Sequence, residues 1–204
     1  MLAYLVTLII SYLLGSIPFG FLLTKYAGMG DIRSIGSGNI GATNVLRTGN
    51  KKLAALTLFL DGFKGFAAVL LIQYFFPHLG ALAGLGAILG HIFPVWLKFK
   101  GGKGVITSVG VITALSWPIG VLTMLIWTLM AKFSKYSSLS ALVAIGVLPF
   151  LVFLRGRGDM ELLSLAIVAL VFWKHSANIR RLIAGTEPKI GQDKKATPAS
   201  DEDI

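Results

Sequence analysis

The chain has no cysteine, only three histidines and only nine acidic side chains in 204 residues. The first absence excludes disulfides, thiolate catalysis and Cys-ligated metals, and it removes thiols as a guide to compartment. His78, His91 and His175 fall on differently oriented segments, and no His-x-x-x-His or clustered-carboxylate spacing occurs. No metal and no cofactor are therefore expected. Charged residues make up 14% of the chain against 55% hydrophobic, with a mean hydropathy of +0.78. That is far from the profile of a soluble domain and points to the membrane class.

The apolar stretches supply about seven spans: Met1 to Thr24, Leu53 to Phe76, Gly80 to Leu97, Val105 to Leu115, Pro118 to Ala131, Leu139 to Leu154 and Met160 to Trp173. A full crossing takes roughly 17 to 25 apolar residues, so the fourth, fifth and seventh are expected to be marginal and to need tilt or extension into their flanks. The first segment lacks a basic leading region and an A-x-A cleavage site, which favours a retained helix over a signal peptide. The expected fold is all-α and integral to the membrane, a single polytopic domain over residues 1–191. Residues 192–204, rich in Lys, Thr, Pro, Ser and acidic residues, read as a disordered tail.

The net charge of +10 would suggest nucleic acid in a soluble protein, but here its placement matters more. Seven alternating spans put 16 of the 19 Lys and Arg on one side, in residues 25–52, 98–104, 132–138 and from 174 onward. The positive-inside rule makes that side cytoplasmic and leaves the N-terminus outside. A nucleic-acid partner is not expected.

Polar density is also concentrated on that side. Ser34-Ile-Gly-Ser-Gly-Asn-Ile-Gly-Ala-Thr-Asn-Val-Leu-Arg47 joins several glycines, Gly38 among them, to the hydrogen-bonding groups of Ser37, Asn39, Thr43 and Asn44, and to the guanidinium fork of Arg47. The alternative is a solvated turn. Phe99-Lys-Gly-Gly-Lys-Gly-Val-Ile-Thr107 sets Gly101, Gly102, Lys103 and Gly104 immediately before an apolar helix, a natural phosphate cradle. It is not a Walker A loop, since Leu97 and Gly104 stand where that motif needs Gly and Ser or Thr. A basic anchor for lipid headgroups would use Lys98 and Lys100 equally well. Trp173-Lys-His-Ser-Ala-Asn-Ile-Arg-Arg-Leu-Ile-Ala-Gly-Thr-Glu187, if helical, puts His175, Asn178 and Leu182 on one face with Arg181 close by, or else forms an amphipathic surface helix holding lipid.

Asp61 and Lys64, three residues apart within the second span, are open between a functional and a structural ion pair. His91, near Pro94 and Trp96, reads as a packing histidine. Ser138 and Ser140 read as capping the sixth span, with contact to substrate as the alternative.

Taken in order, Gly15-Ser-Ile-Pro-Phe-Gly20, Gly36-Ser-Gly-Asn-Ile-Gly-Ala-Thr-Asn44 with Arg47, Asp61-Gly-Phe-Lys-Gly65, Gly90-His-Ile-Phe-Pro94, Phe99-Lys-Gly-Gly-Lys-Gly-Val105 and His175-Ser-Ala-Asn-Ile-Arg-Arg-Leu182 to Gly185-Thr-Glu187 resemble the bacterial acyl-phosphate:glycerol-3-phosphate acyltransferases. The resemblance covers nearly the whole chain except the tail. It implies an enzyme of the bacterial cytoplasmic membrane that moves an acyl group from acyl phosphate to the sn-1 hydroxyl of glycerol 3-phosphate, giving lysophosphatidic acid and phosphate, with membrane lipid around it. It also implies that Lys103 and the backbone of Gly101 to Gly104 hold acyl phosphate. Ser37, Asn39, Thr43 and Asn44, with Gly38, would line the reacting centre. Arg47, His175, Asn178 and Arg181 would hold glycerol 3-phosphate, Ser140 would touch substrate, and Glu187 would orient a basic residue.

The His-x-x-x-x-Asp signature of acyl-CoA acyltransferases does not occur, since Ala83, Trp96 and Arg180 stand five residues after the three histidines. The competing reading is a transporter or flippase for a small phosphorylated solute, which would want polar groups at the midplane rather than at one face.

Overall fold

A computed structural model describes residues 1–191, and the expected tail lies outside the described residues. Among these there is no strand. The described residues form eleven α-helices: α1 (Leu2–Gly15), α2 (Phe19–Tyr26), α3 (Ala42–Leu46), α4 (Lys51–Phe75), α5 (Gly80–Ile92), α6 (Val105–Leu115), α7 (Trp117–Ser134), α8 (Ser137–Gly146), α9 (Leu148–Leu154), α10 (Glu161–Lys174) and α11 (Ser176–Ile183).

Each of the seven apolar stretches is helical, but they differ in reach. Leu2–Tyr26, Lys51–Phe75, Pro77–Leu97, Trp117–Ser134 and Ser137–Leu154 are long and apolar enough to cross a membrane. Gly158–Lys174 joins them only if the bent continuation Ser176–Ile183 is counted with it, across a 63° bend. The fifth segment is therefore not marginal: α7 runs on through Lys132, Phe133 and Ser134 to 18 residues. α6 is short at 11 residues, yet Thr107 to Ile112 are all buried. Its polar backbone is enclosed by α4, α5 and α7 rather than presented to lipid.

The first span is not one helix. Pro18 has no N–H to donate, and the chain breaks over residues 16–18 before resuming as α2. The carbonyl of Ile17, freed by the break, accepts a hydrogen bond from Lys64 Nζ at 2.7 Å. Lys64 also pairs with Asp61 at 2.7 Å, and both side chains are almost wholly buried. This pair therefore ties the broken span to α4.

Lipid cannot drive apolar helices together, so close approach through small residues must. α1 packs along α5 and α4 along α6. A Cβ on Gly15 or Gly110 would collide with the backbone carbonyl of Ala87 or Gly62, and one on Gly65 would lie 2.5 Å from the Thr107 carbonyl oxygen. Ala68, Ala87, Ile88, Val111, Ile112 and Ile145 fill the centre of the bundle. Phe59, Phe63, Tyr74 and Phe75 point outward, the inversion expected of a lipid-facing surface.

Candidate active site

The long polar connection between α2 and α4 is ordered by a single side chain. Asn44 Oδ1 accepts from the Ser37 backbone N–H at 2.9 Å and the Ser37 hydroxyl at 3.2 Å, while Nδ2 donates to the carbonyls of Ile32, Ile35 and Asn39 at 3.0, 2.9 and 2.8 Å. Gly36 is needed here on two counts: its φ is +57°, and a Cβ would lie 2.5 Å from Asn44 Oδ1. Asn39 Oδ1 in turn accepts from the Gly41 N–H at 2.8 Å. Asn44 is thus spent on shaping the loop, and Ser37, Thr43 and Arg47 carry the groups the loop presents.

That loop, the glycine-lysine loop before α6 and the α10–α11 junction enclose one cavity of about 870 Å³. Ser37, Asn39, Thr43, Asn44, Arg47, Lys103, Gly104, His175, Asn178 and Arg181 all line it, although they are spread over 145 positions of the chain. Lys174, Ser137 and His91, which were not expected there, join them, as do Ser138 and Asp61, for which substrate contact or function was one of two readings. Lys174 had a signal, as a cation adjoining His175 in the last basic segment. Asp61 and His91 had none stronger than being polar within spans.

The loops are bonded to one another. Lys103 Nζ donates to Asn178 Oδ1 at 2.5 Å, Asn178 Nδ2 donates to Glu187 Oε1 at 2.6 Å, and Arg181 Nε donates to Glu187 Oε2 at 2.7 Å. Glu187 does not itself line the cavity but fixes two residues that do. Thr43 and Ser137 hydroxyls lie 3.2 Å apart across the mouth. His175 Nδ1 faces the Val171 carbonyl at 2.8 Å. A carbonyl only accepts, so Nδ1 bears the proton and the neutral ring keeps its lone pair on Nε2.

Four expected residues lie elsewhere. The N–H groups of Gly101 and Gly102 donate to the carbonyls of Ile92 and His91 at 3.1 and 3.0 Å, closing the end of α5, and are not free for a ligand. Gly38 opens on a separate shallow pocket. The Ser140 hydroxyl donates back to the Tyr136 carbonyl at 2.7 Å and neither caps its helix nor reaches the cavity. Gly104 remains, at φ +83°, as the residue that opens α6 and turns the unpaired N–H groups of its first turn toward the cavity.

Arg47, Lys103, Lys174 and Arg181 make the cavity strongly positive. Burial lowers the Lys103 ammonium from 10.5 to about 8, Glu187 draws it up, and Arg181, Arg47 and Lys174 push it down. Leu58, Val105, Ile106, Val109, Met124 and Trp127 add an apolar lining to the same cavity. Among the described residues no three His, Asp or Glu side chains converge as a metal site would require.

A membrane-embedded helical bundle with cationic loops over an apolar slot defines a class: an enzyme or carrier for phosphorylated, lipid-like molecules. Residues 5–185 match the glycerol-3-phosphate acyltransferase family model, and the chain belongs to that family. It is 56% identical over 187 residues to the glycerol-3-phosphate acyltransferase of Mesorhizobium japonicum, covering 92% of this chain and 96% of that one. The enzyme of Brucella canis is 55% identical over 184 residues, covering 90% and 92%. Two solved structures of PlsY (YgiH), an integral membrane glycerol 3-phosphate acyltransferase, superpose closely. Its glycerol 3-phosphate form gives a TM-score of 0.87 at 38% identity, covering 92% of this chain and 96% of that one. Its lysophosphatidic acid form gives 0.85 at 37%, covering 91% and 94%.

Proposed function

We propose that this chain transfers a fatty acyl group from acyl phosphate to the sn-1 hydroxyl of glycerol 3-phosphate, releasing lysophosphatidic acid and inorganic phosphate. It would do so in a bacterial inner membrane, with the basic face toward the cytoplasm. The observation that carries this reading is one cavity lined both by four cations and by a set of apolar side chains. Such a cavity suits a molecule that is phosphate at one end and hydrocarbon at the other.

The donor phosphate sits at the first turn of α6, beside Lys103, where backbone N–H groups and the ammonium converge on one anion. Its acyl chain runs down past Val105, Val109, Met124 and Trp127. Arg47 and Arg181 hold the acceptor phosphate, Arg181 in the orientation that Glu187 imposes. Ser37, Asn39 and Thr43 frame the space between, where the acceptor hydroxyl meets the acyl carbonyl.

The hydroxyl oxygen bonds to the carbonyl carbon, the bond from that carbon to the phosphate oxygen breaks, and the proton passes to a phosphate oxygen. Phosphate is already a good leaving group once its charge is neutralised, so positioning and charge stabilisation supply most of the acceleration. His175 Nε2 is the second candidate for the proton.

Purified protein in detergent or lipid, given palmitoyl phosphate and glycerol 3-phosphate, is expected to release phosphate and form lysophosphatidic acid. An acyl-CoA donor is expected to give nothing, and Lys103→Ala to lose at least about 100-fold. Turnover with acyl-CoA in place of acyl phosphate overturns the donor. No turnover with either turns attention to transport of a phosphorylated solute.

A further inference from the structure

Two ionisable side chains that this reaction does not use stand on the cavity wall. Asp61 on α4 is 1% exposed and His91 at the end of α5 is 3% exposed, yet both line the cavity. His91 Nδ1 lies 3.8 Å from Asp61 Oδ1, beyond hydrogen-bond distance, and has no hydrogen-bond partner among the described residues. Asp61 has Lys64 beside it, so that pair is neutral overall, and the Lys64 ammonium is held by the Ile17 carbonyl and lies over the Phe19 ring. The ring of His91 is fixed in turn, because it backs directly onto Gly102, where any Cβ would collide with Nε2.

A buried acceptor and a buried ring nitrogen facing the same cavity call for an occupant that can pair with them. A carboxylate only accepts, and it repels a phosphate, so the occupant's group here is not the anion that Arg47 and Arg181 attract. Two atoms 3.8 Å apart can share one hydroxyl at ordinary hydrogen-bond distances, the hydroxyl donating to Asp61 and accepting from His91. Glycerol 3-phosphate carries one hydroxyl that is acylated and one, on C2, that is not.

We propose that Asp61 and His91 form a neutral subsite for the C2 hydroxyl of the acceptor, fixing which of its two hydroxyls reaches the acyl carbonyl. This rests on glycerol 3-phosphate being the acceptor, as proposed above.

The test compares glycerol 3-phosphate with 3-hydroxypropyl phosphate, which keeps the phosphate and the primary hydroxyl but lacks the hydroxyl on C2. Wild-type protein is expected to prefer glycerol 3-phosphate in kcat/KM by about tenfold or more, as loss of a hydrogen bond to a charged group implies. In His91→Asn, and in the charge-neutral pair Asp61→Leu with Lys64→Met, that preference is expected to shrink toward one. The paired change avoids a lone buried charge and keeps the test available if the single change does not fold. Equal use of both acceptors by wild type overturns the proposal and leaves water as the occupant. An unchanged preference in an active variant also overturns it. Failure of wild type to acylate either acceptor would instead reject the parent reaction.

Discussion

Lys103 and Asn178, 75 positions apart in the chain, are joined by a hydrogen bond of 2.5 Å from Nζ to Oδ1. The bond locks the loop before α6 to the helix after α10. Asn178 keeps its orientation because its other end donates to Glu187. The cation proposed to hold the donor phosphate is thus mechanically tied to the residues proposed to hold the acceptor.

With the Lys103 ammonium drawn down to about 8, chiefly by burial, kcat/KM is expected to fall as pH rises through that value, since the charged form holds phosphate. Lys103→Arg stays charged over this range and is expected to lose that limb of the profile. Unfolding would give the opposite trend. The unfolded chain binds more protons than the folded one between about 8 and 10.5, so this group makes the fold more stable as pH rises there. Steady-state rates from pH 6 to 9.5 for both proteins check the expectation.

Asn44→Ala removes five hydrogen bonds at once from the loop between Ile32 and Asn44. Most helical residues lie outside that loop, in α4 to α11. Activity is expected to drop by at least about 100-fold, as displacement of a site by an ångström implies, while the circular dichroism of the bundle is unchanged. Loss of helical signal in parallel would show that the loop holds the bundle together.

Glu187→Gln keeps an acceptor for Asn178 but removes the charge that orients Arg181. If Arg181 holds the acceptor as proposed, KM for glycerol 3-phosphate rises severalfold, with a smaller change for acyl phosphate. Equal changes in both KM values would show that Glu187 acts on Lys103 through Asn178 instead.

Gly110→Ala forces a Cβ onto the Gly62 carbonyl, which belongs to helix backbone and cannot yield. The expected cost is about 3 kcal/mol, the upper range for overpacking. That lowers Tm by roughly 6 to 12 °C for a chain of this size. A thermal-shift measurement in detergent decides it.

Much of the bundle was legible in the letters because apolar length is a one-dimensional property. The break at Pro18 was missed because the run from Met1 to Thr24 is long and mostly apolar, although Gly15, Ser16 and Pro18 were the local signal for it. The length of α7 was underestimated because Lys132 and Ser134 look like loop, although a helix extends through them where it emerges from the apolar layer. The roles of glycines were also easy to misplace. Gly101 and Gly102 look like a phosphate cradle, but their N–H groups are taken by the end of α5, a partner 10 residues or so away whose carbonyls no motif reveals.

By itself, then, the sequence determined the membrane class, the helical content and the polar segments from which a site had to come, because hydropathy and turn-forming residues are local properties. Tertiary structure alone decided which of those groups face one another. It spent Asn44 and Ser140 on backbone groups, paired Arg181 with Glu187, and brought to one cavity both Asp61, whose role the letters left open, and His91, which read as packing. Hydrogen bonds and burial depend on what lies across a gap, and only helix packing sets that.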